Sequence, residues 1–192
     1  IGFIGLGTMG ASFATNLIKA GMDVTVSDLH RQVAEPHLKA GAKWAETPRE
    51  LAAASDVILP SLPGPREVES VALDEADGLI AGMKPGAVYF DLSTNSPTTV
   101  RKVAAVMAER GMHCLDAPVS GGPKGAASGK LAIWVGGDKA IFEANRGALD
   151  ALGDQVRYIG EIGAGSVAKL VHNAAGYAIQ TALAEVLSVG VK

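Results

Sequence analysis

Short apolar runs alternate with longer stretches of helical periodicity along this chain. The runs at 1–5, 23–28, 42–44, 57–60, 87–91, 113–116, 131–135 and 156–159 are bounded by turn residues and predict strands. Helical patterns lie between them, at 9–20, 31–40, 48–54, 66–73, 97–110 and 139–151. Pro48 and Pro97 sit near helix starts, where a missing N–H costs nothing. Gly21, Gly41 and Gly111 follow helices, where a left-handed residue ends the last turn. Repeated β-α-β units predict an α/β domain with a doubly wound, mostly parallel sheet covered on both faces. No sequence repeat of solenoid period interrupts the pattern.

Residues 163–192 break this rhythm. Helix formers run without proline to the last residue, long enough for a rod of roughly 45 Å at 1.5 Å per residue. That is too long for a crossover helix in such a sheet. Val167, Leu170, Val171, Ala174, Ala178, Ile179, Leu183, Val186 and Leu187 leave the rod apolar on nearly every side, so it requires burial on several faces. The expected organisation is therefore one α/β unit at 1–162 and the start of a long interdomain helix at 163–192. Residues 1–162 cover only part of that helix; a further C-terminal domain, a second subunit or both are expected to cover the rest.

Composition narrows the class. Apolar residues make up 48% of the 192 positions but aromatics only 5%, and there are 24 glycines, so a core rich in aliphatic residues and tight turns are expected. A net charge of −3 with no basic run argues against a nucleic-acid partner. The single cysteine, Cys114, excludes an intrachain disulfide and reads as a small buried strand residue. No secretory signal or membrane span is visible, and the expected location is cytoplasmic, or an organelle matrix if a leader preceded Ile1.

The first strand runs into Gly5-Leu6-Gly7-Thr8-Met9-Gly10, a G-x-G-x-x-G placed where a strand meets a helix. Gly5 permits the tight turn, Gly7 lets a pyrophosphate approach the backbone, and Gly10 lets the helix pack on the strand. The amides that open the helix then face the ligand, and the helix dipole favours its negative charge. The second strand ends on Asp28, at the distance where a carboxylate accepts hydrogen bonds from a ribose 2′-hydroxyl and repels a 2′-phosphate. This favours NAD over NADP. Arg31 is the counterweight, since an arginine there can receive a 2′-phosphate, and Asp28 can equally cap the helix beginning near His30.

Polar side chains are rare on the terminal rod. Lys169 and Asn173 are i and i+4 and share a face; His172 lies on the adjoining edge. A snorkelling lysine beside a solvated asparagine explains the pair as well as a catalytic one does. His30, His37, His113 and His172 show no metal-ligand spacing, and Ser120 lies in no G-x-S-x-G.

Four motifs in order make the chain resemble the β-hydroxyacid dehydrogenase family. They are Phe3–Gly10 with Asn16; Asp91-Leu92-Ser93-Thr94-Asn95-Ser96-Pro97; Asp116-Ala117-Pro118-Val119-Ser120-Gly121-Gly122 with Gly125-Ala126; and Gly163-x-Gly165-x-x-x-Lys169-x-x-x-Asn173. The resemblance covers the whole chain. It departs at Phe13, where the signature has Met; at His172, where Asn is common; and at Lys130 and Trp134, where smaller or apolar residues are usual. Phe13 should not disturb binding, whereas His172 and Trp134 bear on substrate choice.

The resemblance implies a Rossmann-type fold and an NAD(P)-dependent oxidoreductase that interconverts a small 3-hydroxy acid and its oxo acid or semialdehyde. It implies Lys169 as general acid/base and Asn173 as a hydrogen-bonding positioner. Ser120, Gly121 and Gly122 would hold the substrate carboxylate, aided by Asn173. Gly5, Leu6, Gly7, Thr8, Met9, Gly10, Asp28, Leu62, Pro63 and Thr94 would hold NAD, with NADP also admissible. A homo-oligomer formed through the helical region is expected. An imine or ketimine reductase of related fold and a non-catalytic dinucleotide-binding module are the alternatives; Lys169 argues against the first, and Lys169 together with the Ser120 segment against the second.

Overall fold

The architecture follows from strands whose successive side chains enter two different cores. In this computed structural model, which describes residues 1–191, β1 (Gly2–Ile4) leads into α1 (Gly10–Lys19), and β2 (Thr25–Ser27) leads through a 3₁₀ turn into α2 (Glu35–Lys39) and β3 (Lys43–Trp44). Then come α3 (Pro48–Ala53), β4 (Val57–Pro60), α4 (Pro65–Leu73), α5 (Leu79–Gly82), β5 (Val88–Asp91), α6 (Pro97–Glu109) and β6 (His113–Asp116). The remainder is β7 (Val119–Ser120), α7 (Gly122–Ser128), β8 (Ala132–Gly136), α8 (Lys139–Asp150), β9 (Gln155–Gly160) and α9 (Ala164–Gly190).

The sheet order is β3-β2-β1-β4-β5-β6-β8-β7, with β9 beside β8. From β3 to β6 every pairing is parallel; β8 runs antiparallel to β6 and β7 and parallel to β9. This is a Rossmann-type, doubly wound sheet. The chain builds outward from β1 in one direction, then returns to add β4 on its other side. The crevice beyond the carboxyl ends of β1 and β4 is therefore the switch point where such sheets bind ligands.

Phe3, Leu59, Phe90 and Leu115 project into one core, with Phe13 and Leu17 of α1 and Phe142 of α8. Their sequence neighbours Ile4, Ile58 and Tyr89 project into the other, with Leu51, Leu79 and Met107. Register makes this possible, because Phe3 pairs with Leu59 and Phe90 with Leu115. A one-residue slip would exchange the two faces. Cys114 is half-buried in β6 against the second core, where burial pushes its thiol up, as a small strand residue should behave.

The structure departs from the pattern in two respects. The helix expected over 31–40 begins as a 3₁₀ turn, Arg31–Ala34, and becomes α-helical only at Glu35. Pro36 explains the break, because a proline tolerates the first turn of an α-helix but not its interior. The elements α5, β7 and α7 were not predicted. α5 and β7 are too short to stand out, and α7 (GPKGAAS) is composed against helix formation and is held by tertiary contact, with Asn16 of α1 donating to its Ala126 carbonyl. The terminal rod is one 27-residue helix, α9. Its first turns are buried and the rest is bare, with Val171 64% and Ile179 68% exposed. Among the described residues no helix is long and apolar enough to cross a membrane.

Candidate functional site

The glycine turn is dictated by backbone crowding. Gly5 has φ +95°, and a Cβ there would come within 2.3 Å of the Ser61 carbonyl oxygen; a Cβ on Gly10 would come within 1.8 Å of the Gly5 carbonyl oxygen. Gly7 differs: a Cβ there would meet nothing within 4 Å. The three glycines thus separate into two required by the protein's own packing and one that keeps an open approach to the backbone. No side chain caps α1, and the amides of Gly7, Thr8 and Met9 find no acceptor among the described residues. A turn of free donors at a helix N-terminus fits a pyrophosphate.

Asp28 joins this turn to β2. Its Oδ2 accepts from the Leu6 amide at 2.7 Å and its Oδ1 from the His30 amide at 3.0 Å. The carboxylate closes its own turn but does not cap the helix that follows, whose N-cap is His30 with no side-chain bond. Each oxygen keeps a further acceptor site, so a ribose hydroxyl can be added without displacing either bond. Arg31 is engaged elsewhere. Its Nη1 lies 2.6 Å from Glu46 Oε1, and its guanidinium lies 5.5 Å from the centroid of the Trp44 ring. An exposed pair of this kind is worth only about 0–1 kcal/mol.

Behind the cleft, the loops after β4 and β5 are tied to one buried carboxylate. Asp91 accepts from the Ser93 amide at 3.0 Å and from Asn95 Nδ2 at 2.8 Å, and Ser93 Oγ accepts from the Leu62 amide at 3.0 Å. Burial pushes the Asp91 carboxyl up to about 6, against the bonds from Asn95 and Ser93, which favour its charged form. Asn16 on α1 donates to the Ala126 carbonyl at 2.8 Å and so fixes α7 beside the glycine turn.

The start of α9 is docked by a second buried carboxylate. Asp116, at the end of β6, accepts from the amides of Gly163 at 2.8 Å and Ser166 at 2.6 Å, two of the donors that a helix N-terminus leaves without partners. Burial raises the Asp116 carboxyl, and these same bonds oppose the rise. Gly165 brings the helix against β8, where a Cβ would lie 2.2 Å from the Trp134 carbonyl oxygen. One turn further on, Lys169 is 9% exposed, and no carboxylate of the described residues lies within ion-pair distance of it. Burial pulls its ammonium below the usual lysine value.

These elements enclose a cleft of about 310 Å³. Met9, Leu62, Pro63, Thr94, Ser120, Gly121, Gly122 and Lys169 all line it, although the sequence places them on five separate stretches. Gly121 (φ +136°) and Gly122 (φ +61°) make the sharp entry from β7 into α7. Gly5, Leu6, Gly7, Thr8 and Gly10 form the neighbouring turn, with Asp28 beneath it. Asn173 stands apart: it is half-exposed one turn beyond Lys169 and does not line the cleft. A larger groove of about 560 Å³, with Arg101, Cys114 and Glu161 in its walls, contains none of the predicted residues. The supporting carboxylates Asp91 and Asp116, and Ser93, received no role from sequence. The available signal was that each lies inside a motif otherwise read for its neighbours.

Comparison with known proteins gives a consistent result. The sequence model of the NAD binding domain of 6-phosphogluconate dehydrogenase matches residues 1–160. The NAD-dependent L-serine dehydrogenase of Pseudomonas aeruginosa is 42% identical over 191 residues, which is 100% of this chain and 64% of that protein. The 2-(hydroxymethyl)glutarate dehydrogenase of Eubacterium barkeri is 42% identical over 192 residues, with the same coverage. A solved structure of Mycobacterium tuberculosis 3-hydroxyisobutyrate dehydrogenase with L-serine superposes with a TM-score of 0.89 at 36% identity, over 96% of this chain and 62% of that one. The chain thus spans 64% of the length of the two curated relatives.

Proposed function

The chain belongs to the β-hydroxyacid dehydrogenase family and carries its NAD-binding domain, and from that premise we propose that it serves an NAD-dependent dehydrogenase of small 3-hydroxy acids. The observation that carries the reading is the position of Lys169, buried with no carboxylate of the described residues in ion-pair range, in the cleft that also holds Ser120, Gly121 and Gly122. The glycine turn and the loops bearing Leu62, Pro63 and Thr94 would hold the dinucleotide, which when bound supplies the hydride acceptor in oxidation and the donor in reduction.

The protein's own residues handle the substrate and its proton. The Ser120 hydroxyl and the backbone donors of the Gly121-Gly122 turn receive the carboxylate. Lys169, neutral before oxidation, takes the proton of the substrate hydroxyl at Nζ and returns it in reduction. Burial favours the neutral amine that the first role requires. Asn173, half-exposed one turn further along α9, orients the substrate by a hydrogen bond. The bare apolar face of α9 is covered in the whole protein by a further helical segment or by a second copy of the chain, which also supplies the second wall of the pocket.

A panel of 3-hydroxyisobutyrate, glycerate, threonate, L-serine and 2-(hydroxymethyl)glutarate, assayed with NAD and NADP on the full-length protein, tests this directly. Oxidation of at least one acid is expected, faster with NAD; inertness towards all five with both cofactors overturns the reading.

The NAD preference is assigned to Asp28, while Arg31 lies against Glu46 and Trp44. Asp28→Ser is expected to lower the NAD/NADP ratio of kcat/KM by about tenfold, the worth of one charge-assisted hydrogen bond. The ratio is the useful readout, because loss of the Leu6 bond weakens both cofactors alike. An unchanged ratio would leave Asp28 only its turn-closing role.

A further inference from the structure

His172 and Trp134, the two departures from the family pattern that bear on the substrate region, meet in space. Trp134 lies on β8 with its side chain on the face opposite Ile133 and Val135, which enter the core. That is the face on which α9 rests. The His172 ring sits on it, with centroids 5.1 Å apart and planes tilted by 51°. The same imidazole places Nε2 3.0 Å from Ser120 Oγ. Ser120 reaches this point because β7 pairs antiparallel with β8, Ser120 opposite Ala132. One histidine is thus clamped between an indole face and the hydroxyl of the proposed carboxylate cradle, three residues after Lys169.

The proton inventory makes the contact consequential. A serine hydroxyl has one hydrogen to give. If that hydrogen is donated to His172 Nε2, a carboxylate arriving at Ser120 meets only oxygen lone pairs. If Nε2 carries the hydrogen and donates it to Oγ, the hydroxyl hydrogen is free for the carboxylate. Only the second arrangement is compatible with anion binding, and the donated bond polarises the hydroxyl in the useful direction. We propose that His172, held by Trp134, is a positioning residue that donates Nε2–H to Ser120 and so turns the Ser120 hydroxyl towards the substrate carboxylate. The device favours substrates that present a carboxylate to Ser120 over the corresponding amides or esters. It rests on the reading of Ser120-Gly121-Gly122 as the carboxylate cradle.

The test is a set of variants of the full-length protein, assayed with NAD and whichever acid of the five-member panel it oxidises best. His172→Phe keeps a ring on Trp134 and removes the donor; His172→Gln restores an N–H donor at similar reach. His172 is solvent-exposed on α9, so both variants should fold, and thermal melts verify it. His172→Phe is expected to raise KM for the acid about tenfold while kcat changes far less. His172→Gln should recover most of the loss. Ser120→Ala should raise KM to a similar degree, and the Ser120→Ala/His172→Phe double variant should be no worse than Ser120→Ala alone, because both act through one hydroxyl. A wild-type KM in His172→Phe, failure of His172→Gln to rescue, or full multiplicativity in the double variant each overturns the assignment. If Ser120→Ala itself leaves KM unchanged, the cradle reading fails. A raised KM there beside an indifferent His172→Phe breaks only the histidine's part. Should no acid of the panel be oxidised, the assignment falls with the function it serves.

Discussion

Lys169→Ala is expected to lower kcat of the full-length protein by about 10²- to 10⁴-fold, the usual contribution of a positioned general acid/base, with NADH affinity unchanged in a fluorescence titration. The two readouts separate chemistry from binding, because Lys169 lies on α9 and the glycine turn that would hold the pyrophosphate lies on β1 and α1. Lys169→Arg should be nearly as inactive, since a guanidinium stays protonated at every working pH and cannot accept the hydroxyl proton. The pH profile carries the sign of the argument. Oxidation needs the neutral amine, so kcat should rise with pH and level off around the folded-state value of Lys169. That value lies below the ordinary lysine value of about 10.4, because burial disfavours the ammonium. Reduction needs the ammonium and should fall over the same interval. A Lys169→Ala variant with near-normal kcat would remove the centre of the proposed mechanism.

The second large effect is structural and comes from a residue with no chemistry of its own. Gly165→Ala would place a Cβ 2.2 Å from the Trp134 carbonyl oxygen, a backbone atom within β8 that cannot turn aside. The helix has to retreat from the sheet, and overpacking of this kind costs about 1–3 kcal/mol. The same movement pulls on the Asp116 bonds to Gly163 and Ser166, and it displaces Lys169 four residues further on. Misplacement of a catalytic group by about 1 Å can cost about 10²-fold in rate. Gly165→Ala should therefore lower both the melting temperature and kcat/KM. Gly147→Ala provides the internal comparison, since Gly147 is an exposed glycine within α8 and a Cβ there would meet nothing within 4 Å. It should stabilise by about 0.5–1 kcal/mol through helix propensity alone and leave turnover untouched. Equal behaviour of the two variants would show that α9 is not held by its contact with β8.

Legibility in the sequence depended on how local each feature is. The glycine turn, the acid that ends β2 and the Lys169 helix are contiguous motifs whose chemistry and backbone requirements fall within a few residues. The strands β1, β2, β4 and β5 showed themselves because both their faces are buried. The elements α5 and β7 did not, being only a turn and a residue pair long, and α7 did not because its composition, GPKGAAS, carries no apolar periodicity. Asp116 was legible as part of a motif but not as the anchor of a helix that begins 48 positions later.

By itself, then, the sequence determined the class of sheet, the nucleotide turn, the helix that carries Lys169 and the presence of a long apolar rod at the end. Tertiary structure alone decided which loops share a cleft, that Arg31 is occupied by Glu46 and Trp44, that Asn173 falls outside the cleft lining, and that His172 stands on Trp134 against Ser120. Pattern and propensity act over a few neighbouring residues, whereas these contacts join positions 13 to 52 apart, and their existence depends on strand order and register, which the pattern of apolar and polar positions constrains without specifying.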